Sequence, residues 1–154
     1  MFRQPTDADY QRLLEFRTSL RRFLHWSEEQ ARAQGLTAAQ HQLLLAIKGH
    51  PGRTDPSIGD IAGYLLLRHN SAVGLVDRAE AKGLVARTRD PDHRSTVRLK
   101  LTNDGARRLE ALSELHIDEV PRLAATMQAL FAEVGETEPV QPTAGAASSR
   151  GLRA

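Results

Sequence analysis

The residues best placed to do chemistry lie in one short turn. Asp90-Pro91-Asp92-His93-Arg94 joins Leu84-Val85-Ala86-Arg87-Thr88-Arg89 to Val97-Arg98-Leu99-Lys100-Leu101. Proline and aspartate are turn formers, so the three segments read as a β-hairpin over 84–101 with Arg94 where the chain returns. An arginine at a hairpin tip can enter the minor groove of duplex DNA, where the potential is most negative. Arg89 and His93 stand beside it. Asp92 would be repelled by phosphate and reads better as a brace that orients Arg94. The plain alternative is a solvated turn with incidental charges.

A second group sits just upstream. In 68–80, Ala72, Leu75, Val76 and Ala79 recur at i, i+3, i+4 and i+7, the spacing of a buried helix face. That leaves Asn70, Ser71, Gly74 and Arg78 on the opposite side, with Arg68 and His69 at the amino end. The first residues of a recognition helix reach base edges. Asparagine pairs bidentately with adenine, and arginine with guanine or phosphate. His69 and Asn70 serve equally well as helix caps. Gly74 costs roughly 1 kcal/mol against alanine, and fits either close approach to a groove or a packing demand.

These groups need a frame, and the chain supplies one. Ser57 with Asp60 three residues on opens a short capped helix. The helix over 68–80 follows after a few residues and ends at Gly83, which is helix-turn-helix spacing. Upstream, 8–33 is a helical pattern through Leu13, Phe16, Leu20, Phe23 and Trp26. Thr37 and Gln40 then form a capping box ahead of Leu43, Leu44 and Ile47. Downstream, Thr102-Asn103-Asp104 opens a helix with Leu109, Leu112 and Leu115 on one face. Pro121 interrupts it, as a kink or as the first turn of a new helix, and Leu123, Met127, Leu130 and Val134 continue the spacing.

The predicted fold is thus mainly α with a small β-hairpin, a winged helix-turn-helix flanked by terminal helices. One domain spans 8–134, with the reading lobe at 36–101 and its wing at 84–101. The terminal helices, 8–34 and 103–134, either cover a monomeric core or interlock with a second copy. From 135 to 154 the chain is rich in Pro, Gly, Ala and Ser without periodicity, and reads as a disordered tail.

Composition agrees with this reading. The net charge of +2 over 154 residues is small. Between Arg68 and Arg108, however, ten basic residues face five acidic ones, a balance of +5; the remaining eleven basic and fourteen acidic residues give −3. Positive charge is concentrated where phosphate would lie. There is no cysteine, which excludes disulfides and thiolate metal sites. No apolar run approaches the ~20 residues that span a bilayer, and Met1 to Arg22 has no signal-peptide core. A cytoplasmic protein with no membrane partner is expected. Phosphate-binding glycine loops, Gly-x-Ser-x-Gly and His-Glu-x-x-His are all missing. Neither enzymatic activity nor a cofactor is therefore expected.

The segment Leu36 to Gly105 resembles the MarR family of bacterial and archaeal winged-helix regulators. The likeness is carried by Asp77-Arg78, Glu80, Lys82-Gly83-Leu84-Val85, Arg89-Asp90-Pro91-Asp92-His93-Arg94 and Leu101-Thr102-Asn103-Asp104-Gly105. It extends over nearly all of 8–134. Ala79 stands where the family usually has a larger aliphatic residue, and His93 replaces a frequent arginine. The resemblance implies a homodimer built by the terminal helices, with Asp92 and Arg94 presenting an arginine to the minor groove. It also implies a repressor on a pseudo-palindromic operator, released by a small, often aromatic and anionic molecule bound between the dimer helices and the reading head.

Arg21, His25 and Trp26 on the first helix and His41 on the second are candidates for that ligand, an arginine and histidines near an indole suiting an aromatic carboxylate. Trp26 and His25 are otherwise ordinary packing and surface residues. Two further readings stay open. One is a winged helix that binds protein without DNA. The other is a metal-responsive regulator, with His25, His41 and His116 converging.

Overall fold

The computed structural model describes residues 3–132. The tail expected from 135, and Val134 before it, lie outside the described residues. The chain forms α1 (Asp7–Ala33), α2 (Ala38–Lys48), α3 (Ile58–Leu65), α4 (His69–Ala81), β1 (Val85–Arg89), β2 (Val97–Leu101) and α5 (Asn103–Ala132).

Local chemistry explains most boundaries. Three helices open on reciprocal capping boxes: Thr6 with Asp9, Thr37 with Gln40, and Ser57 with Asp60. In each, the cap hydroxyl accepts from the third helical N–H, while the third side chain accepts from the cap N–H. Gly83 leaves α4 with φ +76°, a left-handed conformation that glycine adopts without strain.

Helix α5 continues through Pro121, so the proline does not begin a new helix, which corrects that one of the two expectations. Proline withholds one N–H from the carbonyl of Ile117. Ile117 is 70% exposed, so the lost bond lies at the surface of the helix pair rather than in its core. The apolar spacing on either side keeps α5 against its neighbour.

That neighbour is α1. Phe16 meets Phe131 edge-on at 5.9 Å, and Trp26 lies 4.9 Å from His116, so the two long helices run antiparallel. The buried core gathers instead in the lobe between them. Leu43, Leu44 and Ile47 of α2, Ile61 of α3, Leu75 and Val76 of α4, and Leu84, Val85 and Leu99 of the hairpin form one cluster with Leu109 and Leu112 of α5. The hairpin is antiparallel, in register from Val85 opposite Leu101 to Arg89 opposite Val97. Its β2 edge is tied to the start of α3, because Leu99 N–H donates to the Pro56 carbonyl at 2.9 Å.

The Leu-Thr-x-x-Gly run acquires a physical meaning here. Thr102 Oγ donates to the Gly83 carbonyl at 2.6 Å and accepts from Gly105 N–H at 3.1 Å, capping α5. A Cβ at residue 105 would lie 2.1 Å from the Leu84 carbonyl oxygen. Only glycine lets α5 start this close to the hairpin.

Candidate nucleic-acid interface

Helix α4 separates its two faces cleanly. Ala72, Leu75, Val76 and Ala79 are buried, while Arg68, His69, Asn70, Ser71 and Arg78 are exposed and Gly74 is partly so. The N-cap is Arg68, with no side-chain capping bond, so neither His69 nor Asn70 caps the helix. A Cβ on Gly74 would meet only the Arg78 guanidinium, at 3.3 Å. The flexible end of an arginine can move aside, so packing does not demand glycine there.

The wing is fastened to α4 by a residue that sequence reasoning passed over. Arg87 of β1 donates to both Asp77 and Glu80 of α4. Helix and hairpin are thereby tied as one body, with a two-carboxylate clamp on a planar guanidinium.

The turn itself corrects an expectation. The carboxylate of Asp92 bonds no group among the described residues. The brace is Asp90, only 6% exposed. Its Oδ1 accepts from the N–H groups of Asp92 (2.8 Å) and His93 (3.2 Å), and its Oδ2 from Arg98 Nε (2.9 Å) and Nη2 (2.7 Å). The Arg98 guanidinium, and then these backbone donors, hold the Asp90 carboxyl below the usual carboxylate range. Arg98 also reaches the Asp55 carbonyl at 3.3 Å. Asp90 begins the turn, so its short side chain can fold back onto the two following N–H groups. Asp92 sits beyond that reach.

Ion pairing sorts the ten basic residues of 68–108. Arg87, Arg98, Lys100, Arg107 and Arg108 are paired with carboxylates. Lys82 donates to the Gly35 carbonyl, and Arg89 to the Arg94 carbonyl at 3.4 Å. Among the described residues, Lys82 has no carboxylate partner, nor do the four arginines Arg68, Arg78, Arg89 and Arg94. All four arginines are exposed, on α4 and around the wing tip.

A cleft of about 940 Å³ opens between α1, α2 and α5. Of the expected ligand residues only His41 lines it. Arg21 and His25 lie on the exposed outer face of α1, where His25 approaches Glu29 at 3.3 Å. Trp26 packs against Phe23 and His116. Helical geometry is the reason: Phe23, Leu24, Ser27 and Glu28 face the cleft, and at 100° per residue their mean direction lies roughly 90° from residue 21 and roughly 130° from residue 25. The lining residues missed in the sequence include Phe23, Ser27 and His116. Ser27 and His116 bond at 2.7 Å across 89 positions, and no local pattern announces that contact. No group of three or more His, Asp or Glu side chains that could hold a metal exists among the described residues. No described helix is long and apolar enough to cross a membrane.

Comparison with known proteins agrees with this geometry. Residues 34–94 match the MarR family model. The transcriptional activatory protein BadR of Rhodopseudomonas palustris is 32% identical over 82 residues, which cover 53% of this chain and 47% of that protein. The match therefore spans about half the length of that relative. Among solved structures, a mutant of S. aureus MepR bound to an oligodeoxyribonucleotide superposes with TM-score 0.62 at 18% identity, over 80% of this chain and 95% of that one. A mutant of MarR from E. coli complexed with operator DNA gives 0.61 at 23% identity, over 77% and 89%. YusO of Bacillus subtilis gives 0.60 at 22%, over 87% and 99%. These likenesses establish the winged-helix fold. Residues 34–94 are thus similar in sequence to the MarR family, and the chain shares the winged-helix fold of solved MarR-family regulators.

Proposed function

We propose that this protein is a homodimeric transcriptional regulator that binds a pseudo-palindromic duplex operator and is released from it by a small molecule. The carrying observation is the set of arginines left without carboxylate partners. Within 68–108 these are Arg68, Arg78, Arg89 and Arg94, which gather on the exposed side of α4 and at the wing, while Arg87, Arg98, Arg107 and Arg108 of the same segment are paired with carboxylates. In this reading Asn70, Ser71 and the open surface at Gly74 meet base edges. Arg68, Arg78 and Arg89 meet phosphate, and Arg94 with His93 enters the minor groove. The clamp of Arg87 on Asp77 and Glu80 sets the spacing between the two contacts.

Dimerisation is supported by what the long helices leave uncovered. Tyr10, Leu13 and Leu14 on α1 and Leu115, Val120 and Phe131 on α5 are exposed, apolar side chains that the two long helices leave uncovered along their length. A two-fold pair would bury them and place two reading heads about one helical turn (~10 bp) apart. The cleft lies where the dimer helices meet the lobe, so a bound molecule there can change the angle between heads. Repression relieved by ligand is the direction we infer.

Selection of bound sequences from a random duplex pool, followed by anisotropy at several salt concentrations, tests the reading. An inverted repeat with affinity that falls steeply with salt supports it. Absence of any selected sequence would instead favour a protein-binding winged helix.

A further inference from the structure

The cleft contains one polar side chain that the protein leaves unanswered. His41 is 7% exposed and lines the cleft from α2, and its ring bonds no described residue. No fully enclosed side-chain nitrogen or oxygen lacks a partner among the described residues, so the ring nitrogens of His41 open onto the cleft. Its neighbour His116, 4.9 Å away ring to ring, is fully committed. The Leu112 carbonyl, 2.7 Å from His116 Nδ1, can only accept, so Nδ1 carries the proton. In the neutral ring Nε2 then accepts from the Ser27 hydroxyl.

Burial, and next the adjacent His116, lower the pKa of His41 from 6.5. Near neutral pH it therefore offers one N–H and one lone pair to whatever fills the space. The other walls are mostly apolar, among them Phe23, Leu24, Leu45 and Ile117. The titratable lining groups are Glu28 on α1, His41 on α2 and His116 on α5; Glu28 is paired with Arg32 outside the lining. No lysine or arginine lines the cleft. An anion would lose its water and find no fixed cation, and a cation would find its one carboxylate already taken.

We propose that the cleft takes an uncharged molecule with an apolar body and one hydrogen-bonding head, a phenol or a carboxamide, anchored on neutral His41. This rests on the cleft being the effector site and replaces the anionic ligand implied by resemblance with a neutral one. Protonation of His41 leaves it a donor only and weakens the hold.

Calorimetric titration of the full chain tests this with three ligands of one body: 4-tert-butylphenol, 4-tert-butylbenzoate and 4-tert-butylbenzylamine. Near pH 7.5 their heads are neutral, negative and positive. The phenol is expected to bind at least about tenfold more tightly than either charged ligand, the worth of roughly one hydrogen bond. His41→Leu should lose about that factor for the phenol, while His41→Gln, which keeps a donor and an acceptor, should retain most of it. Benzoate binding as tightly as the phenol would overturn the proposal, as would no measurable binding of any of the three to the unaltered protein. Operator release is read separately by anisotropy. Phenol preference without release keeps the cleft chemistry and removes the effector reading. Release by benzoate, with no phenol preference, does the reverse.

Discussion

Arg94→Ala, Asp90→Ala and Asp92→Ala together test how the wing works. Arg94 is exposed and its side chain has no described partner, so its loss opens no cavity and should change stability by less than about 0.5 kcal/mol. If Arg94 meets DNA it neutralises about one phosphate, and log K against log salt should flatten by ~0.9. Between roughly 50 and 200 mM salt, the ratio of wild-type to mutant affinity should then shrink about 3.5-fold. Asp90→Ala removes the acceptor of the Asp92 and His93 N–H groups and of the Arg98 guanidinium. The turn that presents Arg94 then loosens. Binding should weaken in the same direction as for Arg94→Ala, but the salt slope should stay nearly as steep, because no cation has been removed. Asp92→Ala deletes a carboxylate that bonds nothing among the described residues and should leave binding unchanged or slightly tighter. Fluorescence anisotropy on the selected operator, at four or more salt concentrations, reads all three. Weakening by Asp92→Ala equal to that by Asp90→Ala would refute the assignment of the brace to Asp90.

Gly105→Ala should be severe for a one-carbon change. Its Cβ would sit 2.1 Å from the Leu84 backbone oxygen, and overpacking against backbone costs about 3 kcal/mol, a melting temperature lower by roughly 6–12 °C. A shift under about 2 °C would show that the start of α5 can move. His41 imposes a pH dependence. Its folded pKa is depressed below 6.5 by burial and His116, so its contribution to stability is full above 6.5 and is lost as pH falls below that value. Denaturant midpoints across that range should fall for wild type and less for His41→Phe; parallel curves would refute the argument. Leu14→Glu with Val120→Glu places charge on the uncovered helix faces. Sedimentation should shift the protein to monomer at micromolar concentration, and an unchanged dimer would move the interface elsewhere.

What was legible in the chain is what depends on neighbours in sequence. The caps at Thr37 and Ser57, the buried stripe Ala72, Leu75, Val76 and Ala79, and the hairpin around Asp90-Pro91 follow from helical period, cap chemistry and turn chemistry. Each is decided within about one to three turns of backbone. Tertiary structure decided which polar groups meet. Asp90 rather than Asp92 braces the turn because Arg98 arrives from the opposite strand. Arg87 clamps Asp77 and Glu80 because the strand packs beside α4. Pro121 passes unbroken through α5 because the freed carbonyl lies at an exposed residue on a helix held by its packing against α1. The cleft polarity was misjudged for the same reason. Arg21 and His25 are near Trp26 in sequence but on another helix face, while His116, distant in sequence, is delivered to His41 and Ser27 by the packing of α5 on α1 and α2. Periodicity reports which face of a helix is apolar; only the packing of those faces determines which side chain stands opposite which.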